Sequence, residues 1–159
     1  MVAARSRLAR DLPARRRLRA VGPALICLTL LLAACDGGGG SGPAPTPVAP
    51  VGGELGVEAY EWGFRPQSIV LEQGEEVRLR LENTGTILHD LRIDGLQAEG
   101  VVSESTGPLQ GGEHELFVGA DAGQQGTLTF TPLVPGTYAF YCTVSGHQDL
   151  GMEGVLVVE

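Results

Sequence analysis

Residues 76 to 83 read EVRLRLEN, with Val77, Leu79 and Leu81 alternating with Arg78 and Arg80. A period of two sends one set of side chains into a core and the other into water, the pattern of a half-buried strand. The pattern returns in HDLRID, where His89, Leu91 and Ile93 alternate with Asp90, Arg92 and Asp94. It returns again in TLTFT (Leu128, Phe130) and in YAFYC, where Tyr138, Phe140 and Cys142 share a face. Turn signals separate these runs: Gln73-Gly74, Asn83-Thr84-Gly85, Gly111-Gly112, Pro135-Gly136 and Gly151. No segment of ten or more residues keeps a clean helical period. An all-β chain is therefore expected, with seven or eight strands in two packed antiparallel sheets. Residues 95 to 112 are expected to hold a loop or a short helical turn.

The segments ahead of these runs have other characters. Residues 1 to 19 carry seven arginines, and the apolar run Ala20 to Ala34 follows. Fifteen residues fall short of the roughly 20 that a membrane-spanning helix needs. A basic start, a short apolar run and small residues at its end describe an export signal. Leu32-Ala33-Ala34-Cys35 resembles the lipobox of bacterial lipoproteins. That resemblance implies a lipidated Cys35 and an anchor on the outer face of a bacterial membrane, on its periplasmic or extracellular side. Arg15-Arg16-Arg17 resembles a twin-arginine signal faintly, and an ordinary basic start is the preferred reading. Residues 36 to 51, DGGGGSGPAPTPVAPV, cannot form a core and read as a tether of at most about 50–58 Å. The expected division is an export signal at 1–34, a lipidated cysteine and linker at 35–51, and one domain at 52–159.

Without residues 1 to 34 the chain keeps four arginines, no lysine and eighteen carboxylates, a net charge of −14. Such an excess opposes nucleic acid, whose phosphates repel it. It favours solubility and fast encounter with a basic partner. Cys27 leaves with the signal and Cys35 carries lipid, so Cys142 has no disulfide partner.

That lone cysteine opens the stretch YCTVSGHQDLGM, in which Cys142, His147 and Met152 are spaced five apart. Gly146 and Gly151 give the loop freedom to curl until a thiolate, an imidazole and a thioether converge. His89 is the candidate for a further strong donor, at a strand start on the face of Leu91 and Ile93. Taken singly, each has a structural reading: a buried small hydrophobe, a strand histidine, a core methionine. Together, two imidazoles, a thiolate and a thioether are the donor set of a blue-copper site. Sulfur donors favour Cu(I) and imidazole suits both oxidation states, so an intermediate geometry needs little rearrangement when one electron moves. His114, between Glu113 and Glu115, reads as a surface or strand-edge residue, with a weak accessory site beside its glutamates as the alternative. Trp62, Phe64 and Pro66 read as core and turn, with a role in electron transfer as the alternative.

ENTGTILHDLRID together with GTYAFYCTVSGHQDLGMEGVLVVE resembles the cupredoxins, the blue-copper proteins related to plastocyanin, azurin, rusticyanin and sulfocyanin. The likeness covers about 52 to 159. It implies a Greek-key β-sandwich that holds one type 1 copper. His89 and His147 would be the equatorial imidazoles, Cys142 the thiolate and Met152 the weak axial ligand. Asp90 stands where relatives carry an Asn or Asp that braces the ligand loop. The equivalent of His147 would reach the surface through an apolar patch, here Ile87, Leu88 and Leu150. Ser145 stands where many relatives have proline, which implies a looser loop. Four residues separate His147 from Met152, as in rusticyanin and unlike azurin.

The leading expectation is a one-electron carrier outside the cytoplasm, a monomer that meets redox proteins with basic docking surfaces, such as a cytochrome or an oxidase. A copper storage or delivery protein is the alternative. Such proteins often use exposed Met and His clusters, and this chain has one methionine beyond its signal. An enzyme is not expected. Three histidines are too few for a multicopper oxidase or nitrite reductase, and no second cysteine lies near Cys142 for a binuclear centre. Zinc fits poorly, because a thioether is a weak zinc donor.

Overall fold

The alternating runs pair into two five-stranded sheets in a computed structural model that describes residues 45–109, 111–112 and 115–159. In chain order the strands are β1 (Glu54–Tyr60), β2 (Gly63–Arg65), β3 (Ser68–Leu71), β4 (Val77–Asn83) and β5 (His89–Ile93), then β6 (Ala98–Glu104), β7 (Phe117–Ala120), β8 (Gln125–Pro132), β9 (Gly136–Tyr141) and β10 (Glu153–Val158). One sheet has the order β2-β1-β4-β8-β6 and the other β3-β10-β9-β5-β7. Among the described residues, one 3-10 turn, Gln148–Leu150, interrupts the strands.

The all-β sandwich agrees with the periodicity, and three details differ from it. Ten strands form rather than seven or eight, because pieces as short as β2 are too brief to show a period. Neither sheet is wholly antiparallel: β1 runs parallel to β4, and β3 parallel to β10. Alternation reports which face is buried and carries no information on strand direction. The stretch expected as a loop contains β6, paired with β8 through a bulge between Glu99 and Val102. The bulge inserts residues out of step and breaks the period that would have revealed the strand.

The core lies between the sheets. Leu79 and Leu81 of β4, Leu128 and Phe130 of β8, Leu91 of β5, Phe140 of β9 and Leu156 of β10 are fully buried. Phe64 of β2 meets Phe140 edge to face, with ring centroids 5.4 Å apart, and so joins one sheet to the other. Burying each such ring contributes about 1.5–3 kcal/mol. The end of the expected tether also takes part. Val48 bridges to Ile69 of β3, and its amide donates to the carbonyl of Ser68 at 3.0 Å. The expected domain start at residue 52 therefore follows a stretch already bonded to the sheet. Among the described residues, no helix is long and apolar enough to cross a membrane.

Candidate metal centre

Asn83 decides where His89 sits. It ends β4, is buried, and uses every polar atom of its amide. The NH2 group donates to the carbonyls of Ile87 and Ala120, both at 2.8 Å, and Oδ1 accepts from the Gly85 amide at 2.9 Å. Only an amide side chain offers two donors and an acceptor in one plane. These bonds fold the turn 83–88 back on the sheet and deliver His89, wholly buried, to the start of β5 opposite Ala120.

Cys142 follows β9 directly, and the loop after it closes on itself. The His147 amide donates to the Val144 carbonyl at 3.0 Å, and the Met152 amide to the His147 carbonyl at 3.1 Å. The Cys142 amide then donates to the Met152 carbonyl, also at 3.1 Å. Gly146 and Gly151 adopt φ of 84° and 95°, a left-handed backbone that a side chain disfavours. Backbone bonds close this loop without the proline that Ser145 replaces.

One donor atom from each of His89, Cys142 and His147 lies within 4.8 Å of the other two, and all three residues are buried. Cys142 Sγ is 3.4 Å from His147 Nδ1, and the two imidazole centroids are 5.1 Å apart. Met152, fully buried, rides on the same closed loop. Neither ring nitrogen of His89 has a hydrogen-bond partner. Burial, then the neighbouring His147, pushes the His89 imidazole below its ordinary pKa, so it stays neutral with a lone pair to offer. Burial pushes the Cys142 thiol up to about 11. A neutral imidazole and a masked thiol share one want, a cation: it takes the lone pair and stabilises the thiolate. The cluster fits a thiophilic metal ion.

The sequence profile described as copper binding proteins of the plastocyanin/azurin family matches residues 51–159. The chain belongs to this family. Copper is its cofactor, one ion per domain. Auracyanin-A of Chloroflexus aurantiacus is 30% identical over 156 residues, covering 84% of this chain and 92% of the relative. Plastocyanin of Prochlorothrix hollandica is 28% identical over 135 residues, covering 85% and 86%. Among solved structures, reduced auracyanin of Roseiflexus castenholzii superposes with a TM-score of 0.53 at 22% identity, covering 67% of this chain and 97% of that one. Auracyanin B superposes at 0.52 with 24% identity, covering 72% and 91%. These likenesses show the same fold.

Other residues of this plastocyanin/azurin-type domain depart from the sequence reading. Asp90, placed on a wet face by alternation, is buried. The Thr143 amide and hydroxyl donate to its two carboxylate oxygens at 2.7 and 2.8 Å, in keeping with the expected brace. Burial raises its carboxyl above the usual range, and the Thr143 bonds oppose that shift. Trp62 is not core. It is 41% exposed in the β1–β2 turn, with its ring centroid 4.8 Å from that of His147 and 6.4 Å from that of His89, both in T-shaped contacts. His147 itself is only 5% exposed, so the expected opening at His147 is largely closed and an indole lies over it. Ile87 and Leu150 are exposed as expected, and Leu88 is half-buried. Glu61, beside Trp62, escaped the sequence reading altogether. Hydrogen bonds, the Thr86 amide first, hold its carboxyl below the ordinary range. Cys35 and His114 lie outside the described residues.

Proposed function

We propose that this protein carries single electrons between redox proteins outside the cytoplasm, with copper held by His89, Cys142, His147 and Met152. The observation that carries the reading is the buried His89 ring, which lacks a partner for either nitrogen and stands beside Cys142 and His147. An unpartnered buried polar group costs about 1–3 kcal/mol, and a bound metal ion removes that cost. Copper supplies a one-electron couple between Cu(I) and Cu(II). The chain supplies a rigid frame. The β5–β7 pairing, the Asp90–Thr143 bonds and the closed loop keep the donors in place, and the hydrophobic core around Cys142 and Met152 excludes water. Buried donors favour retention of copper over its delivery. Membership of the plastocyanin/azurin family and likeness to auracyanin-A and plastocyanin support a carrier rather than a multicopper enzyme.

The acidic excess of −14 beyond residue 34 supports a partner with a basic docking surface, and attraction of that kind raises encounter rates at low salt. The segment ending at Cys35 supports export and a lipid anchor that keeps the domain at a membrane surface. The deciding measurement is the visible spectrum of the copper-loaded protein, followed by voltammetry. An intense thiolate-to-copper band and a reversible one-electron wave are expected. A copper-loaded protein that stays colourless after oxidation overturns the carrier reading. Mass spectrometry of the chain expressed in a bacterium tests the anchor, with a diacylglycerol mass on an N-terminal Cys35 expected.

A further inference from the structure

We infer that Glu61 is the outer partner of His89, a positioning residue that fixes the imidazole tautomer and biases the centre toward Cu(II). The inference rests on the copper-carrier reading above.

Glu61 Oε1 lies 3.7 Å from His89 Nε2, across from a ring whose nitrogens have no other partner. The carboxylate is not adrift there. The Thr86 amide donates to Oε1 at 2.6 Å, and the Thr86 hydroxyl lies 3.2 Å from the same oxygen. Thr86 belongs to the turn that delivers His89, so the carboxylate is tied to the ligand's own lead-in segment. Gly85 leaves the room: a Cβ at that position would stand 2.6 Å from Oε1. The β1–β2 turn thus sets Trp62 beside both imidazoles, nearer to His147, and Glu61 against His89.

An ionised carboxylate only accepts hydrogen bonds, so the nitrogen that faces it must carry the proton. That places the hydrogen on His89 Nε2 and leaves the Nδ1 lone pair for the metal. His147 already presents Nδ1 toward Cys142 Sγ. Both imidazoles then offer the same atom, with the outer nitrogen of His89 anchored. The 3.7 Å gap needs to close by less than about 1 Å to reach hydrogen-bond length. A negative charge so near a buried imidazole makes it a stronger donor and favours the more positive oxidation state.

The test is Glu61→Gln in the copper-loaded chain. Glutamine keeps an oxygen for the Thr86 amide and removes the charge. The expected result is a Cu(II) dissociation constant raised about 10- to 100-fold, with the Cu(I) constant little changed. Each tenfold preferential loss of Cu(II) raises the reduction potential by about 59 mV. Nitrogen-15 NMR of the metal-free protein should find the His89 proton on Nε2 in the wild type and shared between the nitrogens in the variant. If Glu61 merely pins Thr86, the variant keeps the wild-type potential, affinity and tautomer, and the inference is overturned. A fall in potential overturns it equally. A wild-type protein whose oxidised, copper-loaded form lacks the thiolate band removes the carrier reading and this one with it, and that outcome shows before any substitution is made.

Discussion

Asp90 and Thr143, fifty-three positions apart, are joined by two hydrogen bonds that lock β5 to the loop behind Cys142. The first comes from a backbone amide, so Asp90 holds the main chain beside the thiolate donor and not only a side chain. Asp90→Ala removes both bonds, and water takes up the Thr143 amide and hydroxyl because Thr143 is exposed. At about 0.5–1.5 kcal/mol net for each lost bond, a loss of about 1–3 kcal/mol is expected in urea unfolding of the metal-free protein. Asp90→Asn, which keeps an acceptor for the amide and can exchange roles with the hydroxyl, should lose much less.

Copper uptake should depend on pH through Cys142. Its buried thiol holds its proton to about pH 11, and binding requires the thiolate. Between about pH 8 and 10 the apparent dissociation constant should fall about tenfold per pH unit, one proton leaving for each copper bound, as read by chelator competition. The metal-free protein should behave oppositely in stability. Above the ordinary thiol pKa the unfolded chain ionises while the folded one does not, so the unfolded state binds fewer protons and stability falls as pH rises toward 11. The fall is on the order of 2–3 kcal/mol. Cys142→Ala should abolish both the pH slope and the visible colour.

Met152→Leu removes the thioether and keeps an apolar side chain of similar volume in a fully buried position. Copper should stay bound. The reduction potential should rise, because a weak electron donor to Cu(II) is gone. Voltammetry of the variant beside the wild type checks this, and an unchanged potential would assign the axial position to another group.

Trp62 is the chain's one tryptophan, and its ring edge stands against His147. Its emission should report the centre directly. Cu(II) loading should quench the fluorescence strongly, and removal of the metal by a chelator should restore it. Trp62→Phe should lose the signal while the blue colour remains, since the indole is not a metal donor.

Most of the candidate donors were legible because they are written locally. Cys142, His147 and Met152 share eleven residues of one loop, and loop closure over so short a span needs only glycines at the two bends. The inward face of β5 was legible through Leu91 and Ile93, and His89 follows from it by counting in twos. Asp90 was misread by the same count. Beyond the edge of a neighbouring strand, a side chain on the outer face can be covered by a loop, and period two reports a sheet face and not what lies over it. β6 was missed because its bulge destroys the period, and the parallel pairs because direction leaves no mark on alternation.

Spacing and residue type alone thus determined an all-β chain and a candidate set of copper donors. Tertiary structure decided what surrounds those donors: Glu61 at His89, Trp62 over His147, Asp90 under Thr143, and Asn83 bonded in the turn. The reason is one of distance along the chain. Glu61 lies in the turn after β1 and His89 begins β5 just past the turn after β4, and the parallel pairing of β1 with β4 brings those two turns together at one end of the sandwich.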